Sequence, residues 1–297
     1  MTKAANSKAF SLFICLFAYI VSIAAAWYST SFFNPENSSL IVALVADIVA
    51  TVVIYFIGVI FKNASLYDPY WSVAPPVIIG YWMVQARHDF SIVSVLIFLV
   101  TLLWSIRLTL NWARGWQGLG HEDWRYTKLR NDNPGIYPFV NLAGIHLFPT
   151  LMVFICLIPA WYTIMKAEAG LNITMLAGAI LSIAGTVISL IADEQLRAFR
   201  KSSIEQASME TGLWKYSRHP NYLGEILFWL GIWVIAMGVD LNLWWTVFGW
   251  IMLTLMFVFI SIPMMEKRSL AKRADYANLI RRIPMLFPFS KKSLDSA

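Results

Sequence analysis

Charge is what this chain has least of. Only 13% of its 297 residues are Asp, Glu, Lys or Arg, where soluble domains carry about 25%. Cysteine is almost missing too. Cys15 and Cys156 both sit inside apolar runs, and two such residues make neither a disulfide framework nor a metal site. The signatures of common soluble enzymes are absent. Gly115, Gly118 and Gly120 do not form a G-x-G-x-x-G turn, and there is no Walker loop, no H-E-x-x-H and no G-x-S-x-G. No internal repeat, low-complexity tract or shift in composition marks a second domain. These absences argue against a soluble Rossmann enzyme, a zinc protease and a disulfide-stapled scaffold.

What is there is apolar. The chain is 59% hydrophobic, with a mean hydropathy of +0.62. Its 14 tryptophans and 12 tyrosines suit the aromatic belts at membrane interfaces. The sequence therefore predicts an all-α polytopic bundle forming one integral membrane domain over residues 1–297. About eight runs approach the roughly 20 residues a span needs: 9–29, 39–61, 70–86, 90–108, 138–165, 172–192, 221–239 and 243–263. The third is weakest, because it is short and Pro75-Pro76 interrupts it. The first is too long for a typical signal segment. Ala24-Ala25-Ala26 imitates a cleavage site, but we read the stretch as a retained anchor. With a cytoplasmic N-terminus, Arg87 and Lys166 are the only basic residues on the outside. That asymmetry predicts both termini inside, in a bacterial inner membrane or the endoplasmic reticulum. It also puts the long polar segments 109–137, 193–220 and 264–297 on one side, where they could build one cytoplasmic pocket. The formal charge of +6 reflects this orientation and does not suggest nucleic acid.

The densest polar stretch is Tyr216-Ser-Arg218-His219-Pro220-Asn221-Tyr222-Leu-Gly-Glu225. It runs straight into an apolar segment, and Pro220 suits the first turn of a helix. Asn221 and Glu225 share a helix face. A cap with interfacial aromatics explains the proline and tyrosines but leaves Arg218, His219, Asn221 and Glu225 unexplained, and ionisable groups at membrane depth are usually functional. Asp193, Arg197 and Arg200 are spaced i, i+4, i+7. Guanidinium pairs recognise phosphate bidentately, although a solvated helix end with Asp193 paired to Arg197 is the plainer reading. Arg107, Asn111 and Arg114 repeat the spacing, ahead of the polar loop His121-Glu-Asp-Trp-Arg-Tyr126. That loop could be a lid, a headgroup contact or simply solvated. Asp68 and Tyr70, in Asp68-Pro-Tyr-Trp-Ser72, could act as general acid or substrate anchor. Asp68 could equally cap a helix.

At these residues the chain resembles the steroid 5α-reductase C-terminal superfamily, and more closely its uncharacterised DUF1295-type membrane branch. The resemblance rests on Asp193-x-x-x-Arg197-x-x-Arg200, on Gly212-Leu-Trp214-x-Tyr216 and on Arg218-His-Pro-Asn-Tyr-x-Gly-Glu225. Asp275-Tyr276, Pro284 and Pro288-Phe289 look like the superfamily's ending. It covers mainly residues 105–289; the spans within 1–65 are not diagnostic. It implies NADPH, held by Asp193, Arg197, Arg200, Tyr216 and Asn221, with Asn111 and Arg114 from the earlier segment. Arg218, His219, Tyr222, Glu225 and Tyr276 complete the expected cofactor site. It implies a flat apolar enone, steroid- or isoprenoid-like, entering from the bilayer. The 5α-reductases carry a Gln-Glu pair where this chain reads Asp68-Pro-Tyr-Trp-Ser72, and Glu266 stands where they have a histidine. Asp68 and Tyr70 are the expected proton donors.

Arg-His-Pro-x-Tyr-x-Gly also occurs in the isoprenylcysteine and phospholipid methyltransferases. They use S-adenosylmethionine and a later glutamate, which Glu266 could match. Lys272-Arg-Ala-Asp-Tyr276 lacks the glycine those enzymes show there. An NADPH-dependent oxidoreductase is the leading expectation. A lipid methyltransferase and a non-enzymatic lipid-binding protein are its rivals.

Overall fold

The computed structural model describes residues 7–34, 36–86, 90–166, 170–202 and 207–287. Arg87, Pro288 and Phe289 lie outside these residues. Among the described residues the chain is helical, without strands, as its composition predicts. It divides into two compact units, residues 1–170 and 171–297, at a point where composition marks no boundary.

The first unit contains α1 (Lys8–Thr30), α2 (Ser39–Ile60), a 3₁₀ turn at Ala64–Leu66, α3 (Tyr70–Gln85), α4 (Ile92–Gly115), α5 (Trp124–Asp132) and α6 (Tyr137–Lys166). The second contains α7 (Ile173–Lys201), a 3₁₀ turn at Gly212–Lys215, α8 (Pro220–Val239), α9 (Leu241–Lys272) and α10 (Tyr276–Arg282). Among the described residues, seven helices are long and apolar enough to cross a membrane: α1, α2, α4, α6, α7, α8 and α9. The expected eighth span, α3, has only 16 residues and carries Pro75 and Pro76 inside it. At 1.5 Å per residue it is about 24 Å long, short of a hydrocarbon core of about 30 Å.

Small residues set the closest packing in the second unit. Gly178, Ser182, Gly185 and Ser189 form a seam along α7, and Gly224, Gly231 and Gly238 recur every seven residues on α8. A Cβ on Gly185 would lie 2.5 Å from the Gly224 carbonyl, and one on Gly178 would lie 2.7 Å from that of Gly231. Only hydrogen fits there, so the two backbones approach directly, as small residues permit between membrane helices. The serines then bond across the seam: Ser182 Oγ donates to Phe228 O (3.0 Å) and Ser189 Oγ to Asn221 O (2.9 Å). One turn beyond Ser189 the same face presents Asp193.

In the first unit the loop after α4 is tied to the segment between α2 and α3. Asn63 Nδ2 donates to Leu119 O (2.8 Å) and His121 O (3.1 Å). Ala64 N donates to Glu122 Oε1 (2.9 Å), and Asp123 N to Ser65 Oγ (2.8 Å). The polar loop is thus fastened down along its length.

Candidate functional site

The small-residue seam delivers Asp193 to the start of α8, where Pro220 occupies the first turn as expected. Asn221 Nδ2 donates to Asp193 Oδ1 at 3.4 Å. Asp193 is buried, and Asn221 Oδ1 is enclosed without a hydrogen-bond partner. Further along α7, Arg197 Nε lies 3.6 Å from Glu194 Oε2, a partly exposed pair of the kind worth little. Arg200 is within electrostatic reach of Arg273, Asp193, Arg268 and Arg197. The spacing argument found Arg197 and Arg200 but missed Arg268 and Arg273, which come from α9 and the residue after it. Four guanidiniums within reach of one another, with Asp193 and Glu194 as the carboxylates among them, leave a net positive, anion-attracting face.

The turn between α7 and α8 completes this region. Gly212 has φ of +60°, a conformation natural to glycine. It lets Leu213 N donate to Gln195 Oε1 (2.9 Å) and Trp214 Nε1 donate to Ala192 O (3.0 Å). Tyr216, next in line, is 58% exposed, so its ring and hydroxyl are open to a ligand.

Arg218 and His219 face a different partner. Arg218 Nε donates to Glu266 Oε1 (2.7 Å), and His219 Nε2 lies 3.0 Å from the same oxygen. Arg218 Nη1 donates to Ile280 O (3.2 Å) and to Ile283 O, while its backbone N donates to Pro284 O (3.0 Å). Ser217 Oγ donates to Met285 O (3.2 Å). Arg218 therefore ties the chain after α10 to the start of α8. Tyr222 packs edge-on against Phe257, with centroids 4.8 Å apart. Glu225 is buried one turn beyond Asn221. Tyr276 is buried in a small cluster with Leu279 and Ile283, and burial raises its pKa. Beside it, Asp275 accepts from Ser208 N (2.7 Å) and Ser208 Oγ (2.9 Å). Burial works against its charge, but these bonds outweigh that and hold its pKa below the usual value.

In the first unit, Asn111 is partly buried on α4 and Arg114 is exposed. The Arg114 carbonyl accepts from Lys8 Nζ at 3.1 Å. Asp68 does not cap α3. Pro69 holds that position without a side-chain bond, and the Asp68 carboxylate instead accepts from Tyr126 Oη. Burial pushes Asp68 up to about 6, although the Arg125 guanidinium and the Tyr126 hydroxyl pull it down.

Tyr70 has the partner that sequence reasoning missed. Its Oη donates to Asp47 Oδ1 at 2.6 Å. Asp47 is a lone carboxylate in the middle of apolar α2, 6% exposed. Its isolation in that run was the available signal, since an ionisable group inside a span is costly and points to function. The pair borders a small, partly open apolar cleft of about 90 Å³ between α1, α2 and α3, with Tyr19, Ala46, Ala50, Ala74 and Ile78 among its walls.

Comparison with known proteins adds kinship. An uncharacterized protein of Schizosaccharomyces pombe, C594.04c, is 27% identical over 304 aligned residues, which cover 92% of this chain and 84% of the relative. No solved structure matches the chain. A family model described as protein of unknown function, DUF1295, matches residues 54–283, a range that takes in Asp68, Tyr70, the arginine face and Tyr276. The chain belongs to the DUF1295 family.

Proposed function

We propose that this membrane protein is an NADPH-dependent reductase of a lipid-soluble enone, within the steroid 5α-reductase superfamily. The observation that carries the reading is Tyr70 Oη held 2.6 Å from Asp47 at the wall of an apolar cavity. An apolar pocket with a buried hydroxyl–carboxylate pair behind its wall suits a greasy substrate that reaches a single polar group. With Asp47 protonated and donating to the phenol oxygen instead, the Tyr70 O–H would be free to donate to the substrate carbonyl and pass it a proton as charge develops there, and Asp47 would then restore the proton of the phenol. On this reading the carboxylate behind the proton donor is Asp47, while Asp68 is taken up by Tyr126.

The second unit's arginine face fits NADPH on its own terms. Arg197, Arg200, Arg268 and Arg273 would receive phosphates. Asn221 Oδ1, a buried acceptor without a donor, would take a hydrogen bond from an amide or amine of the cofactor. Tyr216 is exposed for stacking. When bound, NADPH would supply the hydride that reduces the β-carbon. Termini on the cytoplasmic side would give the arginines access to the cell's nucleotide pool.

One observation favours a second reading. Glu266 meets Arg218 and His219 of the Arg-His-Pro motif, which is compatible with an S-adenosylmethionine-dependent lipid methyltransferase. Thermal stabilisation of the purified protein by NADPH, NADH and S-adenosylhomocysteine, measured side by side, separates the readings. A ligand at 100 times its dissociation constant adds about 2.7 kcal/mol. A shift with NADPH is expected. A shift with S-adenosylhomocysteine alone would transfer the site to methyl transfer. No shift with any of them would leave a lipid-binding protein. Once an enone is found, Tyr70→Phe should abolish turnover while leaving NADPH stabilisation intact.

A further inference from the structure

His146 lies outside everything used so far. It sits in the first unit on a π-helical turn of α6, Val140–Leu147, and is 0% exposed. Such turns occur frequently at functional sites. Two aromatic rings fix its imidazole: Tyr67, with centroids 4.7 Å apart, and Tyr55, at 5.4 Å and nearly perpendicular.

The hydrogen bonding of this imidazole is half complete. His146 Nδ1 lies 2.9 Å from the backbone oxygen of Asn141. A carbonyl only accepts, so Nδ1 carries the proton and Nε2 presents a lone pair. His146 Nε2 is buried without a hydrogen-bond partner, and so is Asn141 Oδ1, on a residue only 6% exposed. Residues 141 and 146 are five apart, the spacing at which one π turn closes on itself. Both bare atoms are acceptors.

The neighbouring hydroxyls are engaged elsewhere. Tyr55 Oη donates to Pro138 O (3.3 Å). Thr150 Oγ1, one turn beyond His146, is bonded to Tyr67 Oη (2.8 Å) and Thr51 Oγ1 (2.9 Å). Thr51 in turn donates to Asp47 O (2.8 Å). Native interiors rarely leave buried acceptors bare, and ordered water commonly fills such gaps.

We propose that His146 Nε2 is the acceptor of a buried site for a small hydrogen-bond donor, either an ordered water molecule or the hydroxyl group of a lipid-soluble molecule. The chemistry of this atom sets the class. A bare imidazole lone pair rejects carbonyls and anions and selects O–H or N–H. The occupant would sit beside Tyr67, at the far end of the hydroxyl row Tyr67–Thr150–Thr51 that ends on the backbone of Asp47. This site is independent of any cofactor, so it stands or falls separately from the reductase reading.

The test is a high-resolution structure of the full chain in lipid nanodiscs, paired with ¹⁵N NMR of its histidines. Density is expected about 2.7–3.2 Å from His146 Nε2. An isolated peak identifies water, and density continuous with an apolar body identifies a lipid hydroxyl. Either supports the site. A neighbouring protein donor closed onto Nε2, or a space with no density, overturns it. With only four histidines in the chain, the His146 signal is assigned by its loss in His146→Phe. It should show the Nδ1–H tautomer, with Nε2 hydrogen-bonded to an added donor. An Nε2–H tautomer would sink the proposal. If His146→Phe does not fold, the density at Nε2 in the parent protein decides by itself: a donor there supports the site, and an empty space or a protein donor counts against it.

Discussion

Arginines of similar appearance in the sequence do different work here. Arg200 belongs to a cluster of four guanidiniums, whereas Arg218 is 7% exposed and bonded to Glu266 and to backbone carbonyls. If the arginine face holds NADPH as proposed, Arg200→Ala should weaken its binding by about 1.5–3 kcal/mol, the range for hydrogen bonds to charged groups, with the fold intact. Arg218→Met should lose about 3–5 kcal/mol of stability, because it breaks a buried pair, leaves Glu266 with His219 alone and strips the Ile280 and Ile283 carbonyls of their donor. Cofactor titration alongside thermal unfolding reads both, and equal losses of stability would refute the division of roles. Asp68 gives a pH prediction. Its folded pKa is raised to about 6 from an ordinary 3.8, so the folded state binds that proton more tightly than the unfolded chain. The stability this contributes is full below about pH 4 and is lost as pH rises through about 6. Asp68→Asn keeps a neutral acceptor for Tyr126. It should remove that loss, so the variant gains on the parent between pH 4 and 6.5 in unfolding midpoints. A constant difference across that range would mean Asp68 does not titrate there.

At the scale of elements, the seam between α7 and α8 connects sequence to site. Gly185→Val places a branched side chain where a Cβ already lies 2.5 Å from a backbone oxygen. Overpacking typically costs about 1–3 kcal/mol, and here the obstacle is backbone, which cannot swing aside. The expected result is a lower unfolding midpoint together with loss of any stabilisation by the proposed NADPH, since Asn221 and Asp193 depend on the same approach. Gly144→Ala is the control: nothing lies within 4 Å of its added Cβ, and no loss is expected. The start of α8 at Pro220 was legible, because a missing N–H is harmless in a first turn. The seam was equally present as glycines and serines at helical spacing. It was not read, because small residues inside an apolar run carry no hydropathy signal. Asp47 was missed for a related reason. One carboxylate barely changes the mean hydropathy of α2, and its importance lies in the Tyr70 hydroxyl that folding brings to it.

For the whole molecule, the balance of apolar and charged residues was decisive. It predicts membrane helices throughout, and seven of those described meet the length and hydropathy of a span. The bias of basic residues to alternate loops predicts that both termini face the cytoplasm. Reporter fusions at each end should agree in sign, and opposite signs would mean that the short, proline-bearing α3 does not cross. The sequence by itself determined the solvent of this protein, the helical character of nearly all its elements and the positions of Asp193, Arg197, Arg200 and Asn221 along two of them. Those properties follow from composition and from spacing within one helix, where 3.6 residues per turn fix which side chains share a face. Only the tertiary structure decided which of these groups meet. It paired Tyr70 with Asp47, 23 residues away, turned Arg218 toward Glu266 and the C-terminal carbonyls, and added Arg268 and Arg273 to the anion face. Such pairings depend on how closely helices approach and in what register. Those are set by contacts between residues far apart in the chain, which no local pattern encodes.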